Sequence, residues 1–133
     1  MSQSRTERFR RRRRALVDRL AADGDLSQRA LDALLAVERH RFVPHRLHGE
    51  AYENHPLPIG MRQTISQPFM VGWLVDAVHA SPGRRILEIG TGCGYQAAVL
   101  AQELAALLDG LNTAGPASLV VPSAYLEIVV TLR

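Results

Sequence analysis

The sequence predicts an α/β fold: an incomplete open sheet preceded by an N-terminal helical segment. Three observations lead there. Apolar residues in three segments before position 80 recur at helical spacing, Arg85-Ile86-Leu87-Glu88-Ile89 is an apolar run of strand length, and a turn with glycine at positions 90, 92 and 94 joins that run to another helical pattern.

At 133 residues with 47% hydrophobic side chains, the chain suits one packed domain. No apolar run approaches the ~20 residues of a membrane span, and the N-terminus lacks the apolar block of a secretory signal, so a soluble cytoplasmic protein without membrane partners is expected. Cys93 alone excludes an internal disulfide framework and a Cys-rich zinc site. The net charge of +3 is unevenly spread. Residues 1–20 carry eight Arg against Glu7 and Asp18, whereas the remaining eight Arg face eleven acids, so a basic start precedes a mildly acidic body.

Residues 1–14 hold a single aromatic side chain, Phe9, and a run of five Arg, which predicts a disordered, solvated tail. From Ala15, the residues Leu16, Val17 and Leu20 share a helical face that Gly24 closes. Ser27 suits the N-cap of a second helix carrying Leu31, Leu34, Leu35 and Val37 and ending before Pro44. Four prolines and two glycines between 44 and 68 predict irregular backbone. Pro68 suits the first turn of a third helix through Met70, Val71, Trp73, Leu74 and Val78, with Trp73 in the core. Arg85 to Ile89 is expected as a buried strand, Tyr95 to about Leu108 as a helix, and Ser118 to Val121 and Tyr125 to Leu132 as two further strands.

A strand entering a helix through Gly-x-Gly-x-Gly lets backbone approach a ligand closely and aims free amides and the positive helix end at an anionic or polar group. A P-loop is excluded, because the chain contains no Lys to reach phosphates. The dinucleotide fingerprint fails too, since Tyr95 stands where its third glycine belongs. In the loop before the third helix, Gln63, Thr64, Ser66 and Gln67 crowd donors able to orient a carboxylate, although Ser66 or Gln67 could equally cap that helix. The histidine pair His45-x-x-His48 lacks the partners of a zinc pattern, so no metal is expected.

Arg41-Phe42-Val43-Pro44, Ala51-Tyr52, PLPIG at 56–60, QTISQPFM at 63–70 and LEIGTGCGYQAAVL at 87–100 occur in series. Together they resemble the protein-L-isoaspartate O-methyltransferase family, class I enzymes dependent on S-adenosylmethionine, over about Leu16 to Gln102. The resemblance implies a Rossmann-like sheet and methylation of the free carboxyl of isoaspartyl residues in damaged proteins. It implies Ser66 as the active-site serine with Thr64 beside it, Gln63 and Gln67 toward the substrate, and Glu88, Gly90, Thr91, Gly92, Gly94 and Tyr95 around the cofactor. Glu88 would sit near the cofactor's ammonium group.

After the glycine-turn helix, the resemblance breaks. The stretch 105–116 contains no strand, the family's Val-x-Ser-x-Glu segment is missing, and Asp109 sits in the wrong context for an acid that holds the ribose. Ser118 to Pro122 is similar to a later family segment. The expected organisation is therefore a tail at 1–14 and one shortened methyltransferase-like domain at 15–133, divided into a helical and substrate-loop part (15–82) and a cofactor-loop part with the remaining strands (83–133). Weak or absent catalysis is expected, with self-association through unpaired strand edges. The alternative is a noncatalytic module binding polyanions through its Arg-rich start, although no aromatic platform accompanies that run and nucleic acid is not the expected partner.

Overall fold

A computed structural model describes residues 3–78, 85–111 and 127–130. In chain order, α1 (Gln3–Asp23) and α2 (Gln28–Ala36) lead through two 3-10 turns (Arg39–Phe42 and His45–Leu47) to a hairpin of β1 (Leu57–Gly60) and β2 (Gln63–Ile65). Then follow α3 (Pro68–Val78), β3 (Arg85–Glu88), α4 (Tyr95–Leu111) and β4 (Glu127–Val130). No helix among the described residues is long and apolar enough to cross a membrane.

The expected tail is instead the first half of α1. From residue 3 to Asp23 the segment contains neither Gly nor Pro, and Arg is a good helix former. Phe9 decides the matter: it is only 2% exposed, stacks on His40 with ring centroids 4.0 Å apart, and meets His48 edge-on. Folding pairs three of the five Arg in the run. Arg12 reaches Glu53 at 3.2 Å and the Gly49 carbonyl, Arg13 reaches Glu38 at 3.5 Å, and Arg10 reaches Glu7 at 2.8 Å. Charge repulsion was the wrong criterion here, because one large apolar side chain and three acids outweigh it.

Gly24, at φ 77, ends α1 and returns its N–H to the Ala21 carbonyl at 3.2 Å. Ser27 caps α2 as expected, accepting the Ala30 N–H at 3.2 Å, and the Asp76 carboxylate of α3 accepts the Ser27 N–H and hydroxyl. Helix α2 then buries Ala30, Leu31, Ala33 and Leu34. Helix α3 approaches it closely at Gly72, where an added Cβ would lie 2.7 Å from Leu26 Cδ1 and 3.0 Å from Leu34 Cδ1. Trp73, expected in the core, stands half-exposed at 49%, because Val71, Gly72 and Val75 occupy the inward face.

The proline-rich segment is not wholly irregular. β1 and β2 pair antiparallel, with Leu57 opposite Ile65 and Pro58 opposite Thr64, and the register shifts between Pro58 and Gly60. The two-residue turn puts Met61 and Arg62 at φ 53 and 57, the left-handed region that such a hairpin requires. Proline in so short a strand and the absence of an Asn-Gly turn hid the hairpin from the sequence.

β3 runs parallel to β4, Arg85 opposite Glu127 and Glu88 opposite Val130, with α4 as the crossover. The strand is buried on one face only: Ile86 and Glu88 are each 8% exposed, but Leu87 is 63% exposed. Among the described residues the architecture is thus mostly helical with two two-stranded sheets, consistent with a partial Rossmann-like unit. The segment 118–121 lies outside the described residues, and the expected strand Tyr125 to Leu132 is described only at β4. One main core joins α1, α2, the hairpin, α3 and α4 through residues such as Leu20, Leu34, Leu57, Val75 and Val99; Ile86 and Leu104 form a smaller one.

Candidate functional site

The glycine turn begins where β3 ends. Gly90, Gly92 and Gly94 have φ of 76, 59 and 82, backbone that L side chains rarely adopt, so alternate glycines let the chain fold back within seven residues of Glu88. The Gly94 N–H closes on the Thr91 carbonyl at 3.0 Å, and the Gly94 carbonyl accepts the Ala98 N–H at 3.0 Å, starting α4. The first amides of α4 therefore stand beside the turn.

The hairpin meets this turn across a cleft of about 190 Å³. Gln63, Thr64 and Ser66 line one side, and Glu88, Gly90, Thr91, Gly92 and Tyr95 the other. An added Cβ on Gly92 would lie 3.9 Å from Gln63 Oε1 and 3.8 Å from Ile59 Cδ1. Two sequence-distant loops are thus within van der Waals reach of each other. Gln67 and Gly94, also expected at the site, fall outside the lining. Gln67 instead contributes its carbonyl to the first turn of α3, and the side-chain cap of that helix comes from Asn54, which accepts the Phe69 N–H at 3.0 Å.

Sequence reasoning missed five lining residues: Ile65, Val71, Ile89, Cys93 and Gln96. Gln96 was legible as the second residue of a helix starting at Tyr95; Val71 was not, because its place depends on how α3 packs. A wider groove of about 670 Å³ adjoins the cleft and shares Gln63, Gly92 and Cys93 with it, its far wall formed by Arg41, Phe42 and the hairpin tip.

Two buried polar atoms in the cleft lining have no hydrogen-bond partner, Glu88 Oε2 and Thr91 Oγ1. An unsatisfied buried polar atom costs about 1–3 kcal/mol and needs an explanation. Behind the turn, Tyr95 is 2% exposed and its hydroxyl is pushed up to about 12 by burial. The Arg39 guanidinium lies 4.9 Å from the Tyr95 ring centroid, and burial holds it below its ordinary value. Phe42 packs edge-on against the same ring at 5.5 Å. No histidine among the described residues lines the cleft: His45 and His48 sit under α1, where the Arg5 Nη2 donates to His45 at 2.6 Å.

The profile of the family described as Protein-L-isoaspartate(D-aspartate) O-methyltransferase (PCMT) matches residues 11–108. The chain belongs to this family. A protein-L-isoaspartate O-methyltransferase of Methylorubrum extorquens (strain PA1) is 50% identical over 96 residues, which are 72% of this chain and 42% of that protein. One from Gloeobacter violaceus is 53% identical over 85 residues, 64% of this chain and 42% of its own. The chain therefore spans less than half the length of these curated relatives.

Solved structures agree on the fold. A protein-L-isoaspartate O-methyltransferase structure matches with a TM-score of 0.58 at 30% identity, covering 69% of this chain and 30% of that one. A Plasmodium falciparum protein-L-isoaspartate O-methyltransferase in complex with S-adenosyl-L-homocysteine gives the same TM-score at 24% identity, over 71% of this chain and 43% of that one. The family match ends at residue 108, so 118–122 lies outside both the match and the described residues.

Proposed function

We propose that this chain carries the donor-binding turn and the acceptor-positioning loop of a protein-L-isoaspartate (D-aspartate) O-methyltransferase. On this reading it takes S-adenosylmethionine and isoaspartyl residues of damaged proteins, and its own catalysis is weak or absent. One observation carries the proposal: Gln63, Thr64 and Ser66 line the same cleft as Glu88 to Gly92.

The donor set fits such a ligand. An ammonium group would satisfy the unpartnered Glu88 Oε2, a hydroxyl or carboxylate would engage Thr91 Oγ1, and amides at the start of α4 favour a carboxylate. When bound, S-adenosylmethionine supplies an electrophilic methyl on its sulfonium. An acceptor carboxylate is already ionised near pH 7, so Ser66 and Thr64 need remove no proton. Their task is orientation, holding the acid by hydroxyl donation while the hairpin wall limits water. Gln63, whose side-chain oxygen approaches Gly92, bridges the acceptor side to the turn.

The Arg-rich start does not favour a polyanion-binding reading. Arg5, Arg10, Arg12, Arg13 and Arg19 all bond within the chain.

Calorimetric titration with S-adenosylhomocysteine tests the proposal. Saturable binding is expected, and Gly92→Arg should abolish it by filling the cleft against Ile59 and Gln63 while the fold persists by circular dichroism. Undiminished binding by that variant would reject the cleft as the donor site.

A further inference from the structure

Arg39 is 0% exposed, the most deeply buried charged side chain among the described residues. Its Nη2 donates to the His55 carbonyl at 3.4 Å, but Nε and Nη1 are buried without a hydrogen-bond partner. The titratable groups closest in effect on it are Tyr95, Cys93 and Tyr52, none of them a carboxylate. Two of these, Tyr95 and Cys93, line the cleft. A buried cation is costly unless it is paired, and no carboxylate among the described residues is paired with Arg39.

We propose that Arg39 is a positioning residue for the glycine turn, fixing Tyr95 from behind and supplying the counter-charge for a ligand carboxylate held by the turn's amides. The inference rests on the proposed function for the identity of that ligand. Its geometry is independent: the guanidinium stacks 4.9 Å from the Tyr95 ring centroid, and Tyr95 is the first residue of α4, directly after Gly94. A charge in a poorly solvated interior acts over several more ångströms than one in water, so contact with the ligand is unnecessary.

The design also explains a polarity within the cleft. Glu88 would meet the ammonium of an amino-acid group, and Arg39 would favour the carboxylate from beneath the opposite end of the turn. A ligand with both charges would be oriented by both.

Titration of the full chain with two ligands separates this role from a merely structural one. S-adenosylhomocysteine carries the amino-acid end, whereas 5′-methylthioadenosine lacks it. Arg39→Met should weaken the first by about tenfold and leave the second within about twofold, while Arg39→Lys, which keeps the charge, should recover most of the loss. Equal effects on the two ligands, including no effect on either, would overturn the proposal. Should Arg39→Met fail to fold by circular dichroism, Arg39→Gln replaces it with the same expectations.

If the wild-type chain takes up neither ligand, the reading of the cleft fails, and Arg39 is judged by amide hydrogen exchange. Faster exchange at residues 92–96 in Arg39→Met but not in Arg39→Lys supports its hold on the turn. Unchanged exchange in both overturns it.

Discussion

On the proposed reading, Thr91 trades stability for binding. Its side chain is 8% exposed and its Oγ1 has no hydrogen-bond partner, so the hydroxyl is desolvated without return. Thr91→Val keeps the shape and removes that cost; we expect thermal stability to rise by about 1 kcal/mol, read as a higher Tm, while affinity for S-adenosylhomocysteine falls. A lower Tm would mean that the hydroxyl already has a structural partner. Ser66→Ala should leave donor affinity unchanged and reduce methyl transfer in a full-length relative carrying the equivalent serine, as measured with an isoaspartyl peptide. At this scale the sequence was informative, because glycine spacing is a backbone requirement written locally. Gly90, Gly92 and Gly94 do occupy left-handed backbone. Arg39 was invisible for the opposite reason: its burial against Tyr95 depends on a contact across 56 positions that no local pattern encodes.

Among the elements, α1 departs furthest from the sequence reading, and its docking is titratable. Phe9 packs on His40, whose Nδ1 lies 2.7 Å from the Tyr52 hydroxyl, and Arg5 donates to His48 at 3.4 Å. Burial holds both His40 and His48 below the ordinary value of 6.5. For His48 the neighbouring His45 and Arg5 act in the same direction; for His40, Glu38 opposes burial while His48, Arg13 and Arg41 reinforce it. The unfolded chain therefore binds protons at these rings at a higher pH than the folded one. Stability attached to the neutral rings is complete above about pH 6.5 and is lost as pH falls below it. Denaturant midpoints measured between pH 7.5 and 5 should fall, and His48→Gln should flatten the decline. Phe9→Ala should cost about 3 kcal/mol at neutral pH by opening a cavity beneath α1. Helices α2 to α4 were readable because caps and apolar spacing act within one turn of helix. The hairpin was not, because proline in a short strand and a turn without Asn-Gly gave no local signal, and neither was the fate of the Arg run, which is settled by Glu38, Glu53 and His40 lying far along the chain.

For the whole molecule, the balance between the cleft and the sheet determines what the chain can do. The two loops that meet at the cleft are supported by the main core, which is continuous from α1 to α4. The parallel sheet is thinner: β3 pairs with β4, and Leu87 is 63% exposed on the face away from Ile86. Parallel sheets are stable when both faces are covered, so an exposed Leu on a short strand is an opening for a second molecule. We expect the 133-residue chain to self-associate with rising concentration in analytical ultracentrifugation and Leu87→Glu to shift it toward monomer. A chain that stays monomeric to about 100 μM, roughly the range where exposed edges and apolar surfaces cause association, would contradict this. The same thin sheet bears on activity. The matched residues make up only 42% of a family relative's length, and on the proposed reading the described residues would supply a turn for the amino-acid end of the donor and hydroxyls for the acceptor. Positioning catalysis depends on holding both reactants at once to within a fraction of an ångström. Methyl transfer to an isoaspartyl peptide should accordingly lie at least about 100-fold below that of a full-length relative, the scale of a 1 Å misplacement, even where donor binding persists. Radiolabelled methyl incorporation, measured beside calorimetric affinity on one preparation, separates the two quantities. Equal turnover by the shorter chain would place the whole of the catalytic machinery in the hairpin and the glycine turn.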